Sequence, residues 1–195
     1  MREASVSRKT NETDIQLQLR LDGAGISAIG TGCGFLDHML TLFAFHGRFD
    51  LTVRCQGDTA VDDHHTVEDV GIALGRAFSQ ALGDGSGIAR YGSFLLPMDE
   101  ALVLCALDIS GRAHLEYDLR LPSQKIGSFD AELGREFFLA VCRELKLTLH
   151  LRQLSGLNSH HILEAAFKGF GRTMGQAAAL NPDGGGAVST KGVLL

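Results

Sequence analysis

Residues 13–21, TDIQLQLRL, alternate apolar and polar positions. That period of two belongs to a half-buried strand. Asp22-Gly23 then supplies a turn, and ISAIGTG a second strand. FLDHMLTLFAFHG at 35–47 carries its apolar residues at helical spacing, and FDLTVRCQGD at 49–58 alternates again as a strand. From His64 to about Leu82, Val67, Val70, Ile72, Leu74, Ala77, Phe78 and Leu82 line one broad stripe of a helix. Asp62 is placed to cap its start and Gly83 to stop it.

The second half repeats this order. ALVLCALDISGRAHLEYDLRL reads as two strands around Ser110-Gly111, AELGREFFLAVCREL as a helix and KLTLHLRQLSG as a strand and turn. A helix follows from His160 to about Leu180. A shift of 96 positions lays His64, His65 and Glu68 on His160, His161 and Glu164, and Gly75-Arg76 on Gly171-Arg172. It also lays Leu51-Thr52 on Leu147-Thr148. Earlier in the chain a shift of 88 lays Gly23 on Gly111 and Glu12 on Glu100, so loops must absorb eight residues. The chain therefore reads as an internal duplication of α+β class, with halves 1–92 and 93–195 forming one compact domain.

The duplicated element is His-His-x-x-Glu. A helix advances about 100° per residue, so His64 and Glu68 share a face, while His64 and His65 diverge. The two imidazoles suit two different ions. Two such helices offer four imidazoles and two carboxylates, a donor set for Mn, Fe, Zn or Ni. One such pair alone would read as histidines at a helix start; its recurrence at matching positions argues against that. His38, flanked by Leu36, Met39 and Leu42, reads equally as a core histidine or a ligand. His46, His114 and His150 have weaker claims.

Composition narrows the class. With 45% hydrophobic and 21% charged residues in 195, the chain is globular. A net charge of −5 gives no reason to expect nucleic acid or an anionic membrane as partner. The polar N-terminus has no apolar signal segment, and no apolar run matches a membrane span. Four scattered cysteines without CxxC spacing read as buried free thiols in a reducing cytoplasm or plastid-like compartment, of which the cytoplasm is the expected one.

GFLDHML, DDHHTVEDVGIALG, PMDEAL, DISGRAHLEY, NSHHILEAAFKGFGR and STKGVL together resemble the imidazoleglycerol-phosphate dehydratase family, from about Arg8 to Leu195. The resemblance implies two halves, each a four-stranded sheet with two helices, the helices lying between the sheets. It implies an enzyme of histidine biosynthesis, two Mn²⁺ per active site, and 24 subunits with active sites between them. The metal ligands it implies are His38, His64, His65, Glu68, His160, His161 and Glu164. Many members have a His where this chain has Glu136, which either takes that ligand's place or leaves it to water.

The implied reaction converts D-erythro-imidazole glycerol phosphate to imidazole acetol phosphate. The carbon losing its proton has no adjacent carbonyl, so the imidazole ring must supply the electrons. Two metals, one at each ring nitrogen, would stabilise an imidazolate. Glu12 is the first acid–base candidate, with Glu164 as ligand and proton carrier, and Asp99 and Lys168 to hold the hydroxyls. Arg90, Arg112 and the tail residues Ser189, Thr190 and Lys191 would cradle the phosphate. The glycine-rich tail is expected to order on substrate. Two other readings stand beside this one. A dimetal phosphatase would be richer in Asp, and a metal-stapled assembly protein would not need Arg90, Arg112 and Lys191.

Overall fold

The alternation at 13–21 becomes strand β2 (Thr13–Arg20), with Ile15, Leu17 and Leu19 at most 2% exposed. In the computed structural model, which describes residues 1–181, β2 is the second of four strands in a first sheet. Its companions are β1 (Glu3–Lys9), β3 (Ser27–Gly30) and β4 (Asp50–Gly57), with helices α1 (Gly34–Gly47) and α2 (His64–Leu82). The second half follows with β5 (Tyr91–Met98), β6 (Ala101–Asp108), β7 (His114–Asp118), a short hairpin of β8 (Lys125–Ile126) and β9 (Phe129–Asp130), α3 (Leu133–Leu145), β10 (Thr148–Ser155) and α4 (Ser159–Ala178).

The two four-stranded sheets have matching orders, β1-β2-β4-β3 and β5-β6-β10-β7. In each, the last strand lies parallel to its neighbour. The turns at Asp22-Gly23 and Ser110-Gly111 therefore lead into crossovers, and the strands on either side of each are not paired with one another. β4 lies between β2 and β3, and Asp50 accepts hydrogen bonds from Ala24 N (2.8 Å) and Ile26 N (3.0 Å), holding the crossover on β4.

Register refines the duplication. β2 and β6 are offset by 88 at both ends, but the pairs Leu17–Val53 and Cys105–Leu151 offset β4 and β10 by 98. Leu51-Thr52 thus corresponds to Leu149-His150, and its likeness to Leu147-Thr148 is coincidental. Ten extra residues between β7 and α3 carry the β8–β9 hairpin, and the connection before α2 has two more than its counterpart. By the same offset His38 corresponds to Glu136. Two strands escaped the periodicity for a physical reason. They are sheet edges: β1 buries only Val6, and β5 is interrupted by Gly92 and Pro97.

The helices lie between the sheets. α2 packs on β1 and β2 with its other side on α3; α4 packs on β5 and β6 with its other side on α1. Each repeat thereby pairs a helix with one from the other repeat. Gly171 and Gly75 allow these contacts, since a Cβ would lie 2.5 Å from the Phe43 carbonyl oxygen and 2.9 Å from that of Val141. Phe43 stacks on Phe170 at 5.0 Å across the junction. The four cysteines are free, as expected; burial raises the thiols of Cys33, Cys105 and Cys142 to about 12 and Cys55 to about 11. No helix among the described residues is long and apolar enough to cross a membrane.

Candidate active site

Asn158 caps α4, its side-chain oxygen accepting from His160 N (2.9 Å) and His161 N (3.4 Å). At α2 the N-cap position is Asp63, not the expected Asp62, and Asp62 one residue earlier accepts from His64 N at 2.8 Å. These caps fix where each histidine pair leaves its helix.

From the α4 start, His160, Glu164 and Lys168 succeed one another at i,i+4 on one face. His160 Nε2 lies 3.0 Å from Glu164 Oε2, and Lys168 Nζ donates to Glu164 Oε1 at 2.5 Å. His38, from α1, brings its Nε2 to 3.5 Å from Glu164 Oε2. Donor atoms of His38, His160 and Glu164 all fall within 4.8 Å of one another, the one such group among the described residues. Glu164 is 6% exposed. Burial works to raise its pKa, but the hydrogen bonds from Lys168 and His160 outweigh it and leave the carboxyl below its ordinary value. Two imidazoles and an ionised, buried carboxylate converging on one point fit a divalent metal of intermediate hardness. Lys168 neutralises one oxygen and leaves Oε2 toward the histidines.

The second histidine of each pair goes elsewhere. The rings of His64 and His65 stand 6.1 Å apart at 83°, and those of His160 and His161 6.2 Å apart at 80°. His161 Nδ1 meets Glu100 Oε2 at 2.7 Å and its Nε2 lies 3.8 Å from Asp99. His65 Nδ1 meets Asp58 Oδ2 at 3.0 Å, with Glu12 Oε1 3.6 Å from Nε2. The contact with Asp58 raises the His65 pKa and that with Glu100 raises His161. Glu100 also accepts from Leu157 N and Asn158 N; His161 foremost, then these amides, hold it down at about 2. Its partner across the 88-residue offset, Glu12, is half exposed, and its carboxylate approaches only His65 among the described residues.

Sequence reasoning aligned Glu100 with Glu12 without recognising its contact with His161; that offset was the available signal. Asp58 carried none, lying in the turn after β4.

His64 and Glu68 on α2 stand opposite α3, as His160 and Glu164 stand opposite α1. Glu136 occupies the place of His38, but its Oε1 accepts from Arg135 Nη1 at 3.2 Å. His46, whose pKa burial lowers, sits edge-on to Phe45, and His114 and His150 pair their rings at 5.8 Å.

Arg90 holds Asp108 with Nε at 2.7 Å and Nη2 at 3.1 Å, and Arg112 is exposed in the turn after β6. Both stand at the end of β6 marked by Asp108, whereas Glu100 and His161 stand at the end marked by Ala101. Eight residues of strand separate the ends by roughly 23 Å at about 3.3 Å per residue. Within one chain, the two arginines and the α4 histidines do not meet. Ser189, Thr190 and Lys191 lie outside the described residues.

Fold and side chains together define a two-repeat α+β protein whose repeats carry matched histidine–carboxylate sets. A family model for imidazoleglycerol-phosphate dehydratase matches residues 31–174. The chain belongs to the imidazoleglycerol-phosphate dehydratase family, enzymes of the hydro-lyase class. It is 58% identical to the imidazoleglycerol-phosphate dehydratase of Desulforamulus reducens over 193 residues, covering 99% of this chain and 98% of that one. It is 56% identical to that of Synechococcus sp. strain CC9902, covering 100% and 97%. The crystal structure of the Staphylococcus aureus N315 enzyme superposes with a TM-score of 0.84 at 40% identity, covering 92% and 99%. That from Pyrococcus furiosus, in complex with (S)-C348, gives 0.82 at 38%, covering 97% and 100%.

Proposed function

We propose that this chain catalyses the dehydration of D-erythro-imidazole glycerol phosphate to imidazole acetol phosphate, as a cytoplasmic, metal-dependent enzyme. The observation carrying the metal dependence is the convergence of His38, His160 and Glu164. These three would hold one Mn²⁺. His64 and Glu68, with Glu136 or water, would hold the other, and His65 and His161 would complete sets on neighbouring subunits. When bound, the two ions supply Lewis acidity toward the nitrogens of the substrate's imidazole ring, favouring its imidazolate.

The rest is work for side chains. Ring electrons expel the hydroxyl from the carbon attached to the ring, and the next carbon gives its proton to a carboxylate. The hydroxyl and proton leave as water, and the enol becomes the ketone. Of the two repeat-related glutamates, only Glu12 has a carboxylate free to carry that proton, because Glu100 is held by three donors. Lys168 and Asp99 stand near the histidines to bind the glycerol hydroxyls. Arg90, Arg112 and the tail group Ser189, Thr190 and Lys191 bind the phosphate. The two arginines and His161 stand at opposite ends of β6, roughly 23 Å apart along the strand, which supports an active site shared between chains; the assembly of 24 is what the family resemblance implies.

The test is an assay of the Mn²⁺-loaded protein that follows ketone formation and phosphate release together. Ketone without phosphate release, abolished by chelator, is the expected result. Phosphate release without ketone overturns the dehydratase reading, and indifference to chelator overturns the metal.

A further inference from the structure

Asp69 is 5% exposed, directly after Glu68 on α2, and belongs to no ligand set. Its Oδ2 accepts from Thr13 Oγ1 at 2.5 Å and pairs with Arg8. Arg8 and Thr13 flank the β1–β2 turn that carries Glu12. The turn is braced internally, since Thr10 Oγ1 accepts from Glu12 N (3.1 Å) and Thr13 N (3.0 Å). Asp58, which holds His65, donates its N–H to the Glu12 carbonyl at 3.0 Å.

The other repeat dispenses with this device. At the positions of Arg8, Thr13 and Asp69 it has Leu96, Ala101 and Ala165, all buried. Apolar residues thus suffice to pack a strand pair against this helix face. A buried ion pair is poor evidence for stability, because desolvation offsets much of its attraction. The polar set appears in the repeat whose glutamate has no anchor of its own. Glu100 is fixed by its own carboxylate, whereas the placing of Glu12 depends on its turn.

We infer that Asp69, through Arg8 and Thr13, is a positioning residue that locks the β1–β2 turn to α2 and so aims the Glu12 carboxylate at the site of proton transfer. The inference rests on the proposed role of Glu12. Misplacing a reacting group by about 1 Å costs on the order of 10²-fold in rate. Releasing the turn therefore affects turnover more than substrate binding.

The experiment measures kcat, KM and bound metal for the Mn²⁺-loaded full chain carrying Asp69→Asn, Thr13→Val, Glu12→Gln, and Glu12→Gln with Thr13→Val. Thr13→Val is the milder change should Asp69→Asn fold poorly. The expected result is a kcat lowered by about ten- to a hundredfold in Asp69→Asn and Thr13→Val, with KM and metal content held. Adding Thr13→Val to Glu12→Gln then costs nothing further. Full kcat in Thr13→Val overturns the inference. So does a loss that is additive with Glu12→Gln, or one that follows metal content. Full kcat in Glu12→Gln instead sinks the role of Glu12, and absence of ketone formation by the unaltered chain sinks the dehydratase reading; the three failures are separately visible.

Discussion

Glu12 and Glu100 occupy the same place in the two repeats, yet the Glu100 carboxylate is tied by His161 and two backbone amides, while that of Glu12 approaches only His65 among the described residues. Duplication produced two like carboxylates, and their surroundings have given them different work. One braces the start of α4, and the other faces the open.

That division has a pH signature in the metal-free protein. The Glu100 carboxyl is lowered from 4.5 to about 2, with the His161 contact as the first cause. A depressed carboxyl contributes stability above its unfolded pKa and loses it as pH falls through the folded value. Glu100→Gln is therefore expected to be less stable than the unaltered chain at pH 6, with the gap closing between pH 4.5 and about 2. Urea midpoints across this range check it, and a gap independent of pH would contradict it.

Metal removal acts on Lys168 in a way that can be isolated. Lys168 is the cation on one oxygen of the buried Glu164. Removing one partner of a buried pair costs about 3 kcal/mol. Lys168→Met is expected to lose about that much without metal, and distinctly less with Mn²⁺ bound to the same carboxylate. Thermal unfolding with and without chelator measures both losses. Equal losses would argue that Glu164 does not face a metal.

The separation of Arg112 from His160 predicts complementation between chains. His160→Ala and Arg112→Ala should each be inactive alone. Oligomers assembled from a mixture of the two should regain activity, because one chain can supply the histidine and another the arginine. Mixed oligomers that stay inactive would place the whole site in one chain.

Glu136 stands where the other repeat has His38, so on the proposed reading one donor set would carry an extra carboxylate. Exchanging an imidazole for a carboxylate weakens Ni²⁺ binding more than Mn²⁺ binding, because Ni²⁺ gains more from nitrogen donors. Calorimetric titration with Ni²⁺ should show unequal sites, and Glu136→His should bring them closer together. Unchanged Ni²⁺ binding in that variant would mean Glu136 lies outside the metal set.

Much of this was legible in the sequence because long-range identity reported on it. The α4 face of His160 and Glu164 and the divergence of His64 from His65 follow from helical spacing alone. The parallel crossovers of β3 and β7 did not, since a turn dipeptide marks a reversal without saying which strand lies alongside. The contacts of Asp58 with His65 and Asp69 with Thr13 join segments far apart in the chain, and no periodicity encodes them. The family resemblance put His38 and Glu164 in one ligand set without joining them, because their meeting arises where helices of different repeats cross.

That crossing bears on the origin of the fold. A lone repeat contains a His38-type position and a His160-type position on helices that do not face each other. Two copies of an ancestral repeat, clasped together, would form two identical corners. Joining them in one chain frees each corner to differ from its twin, as Glu136 differs from His38 and Ala165 from Asp69.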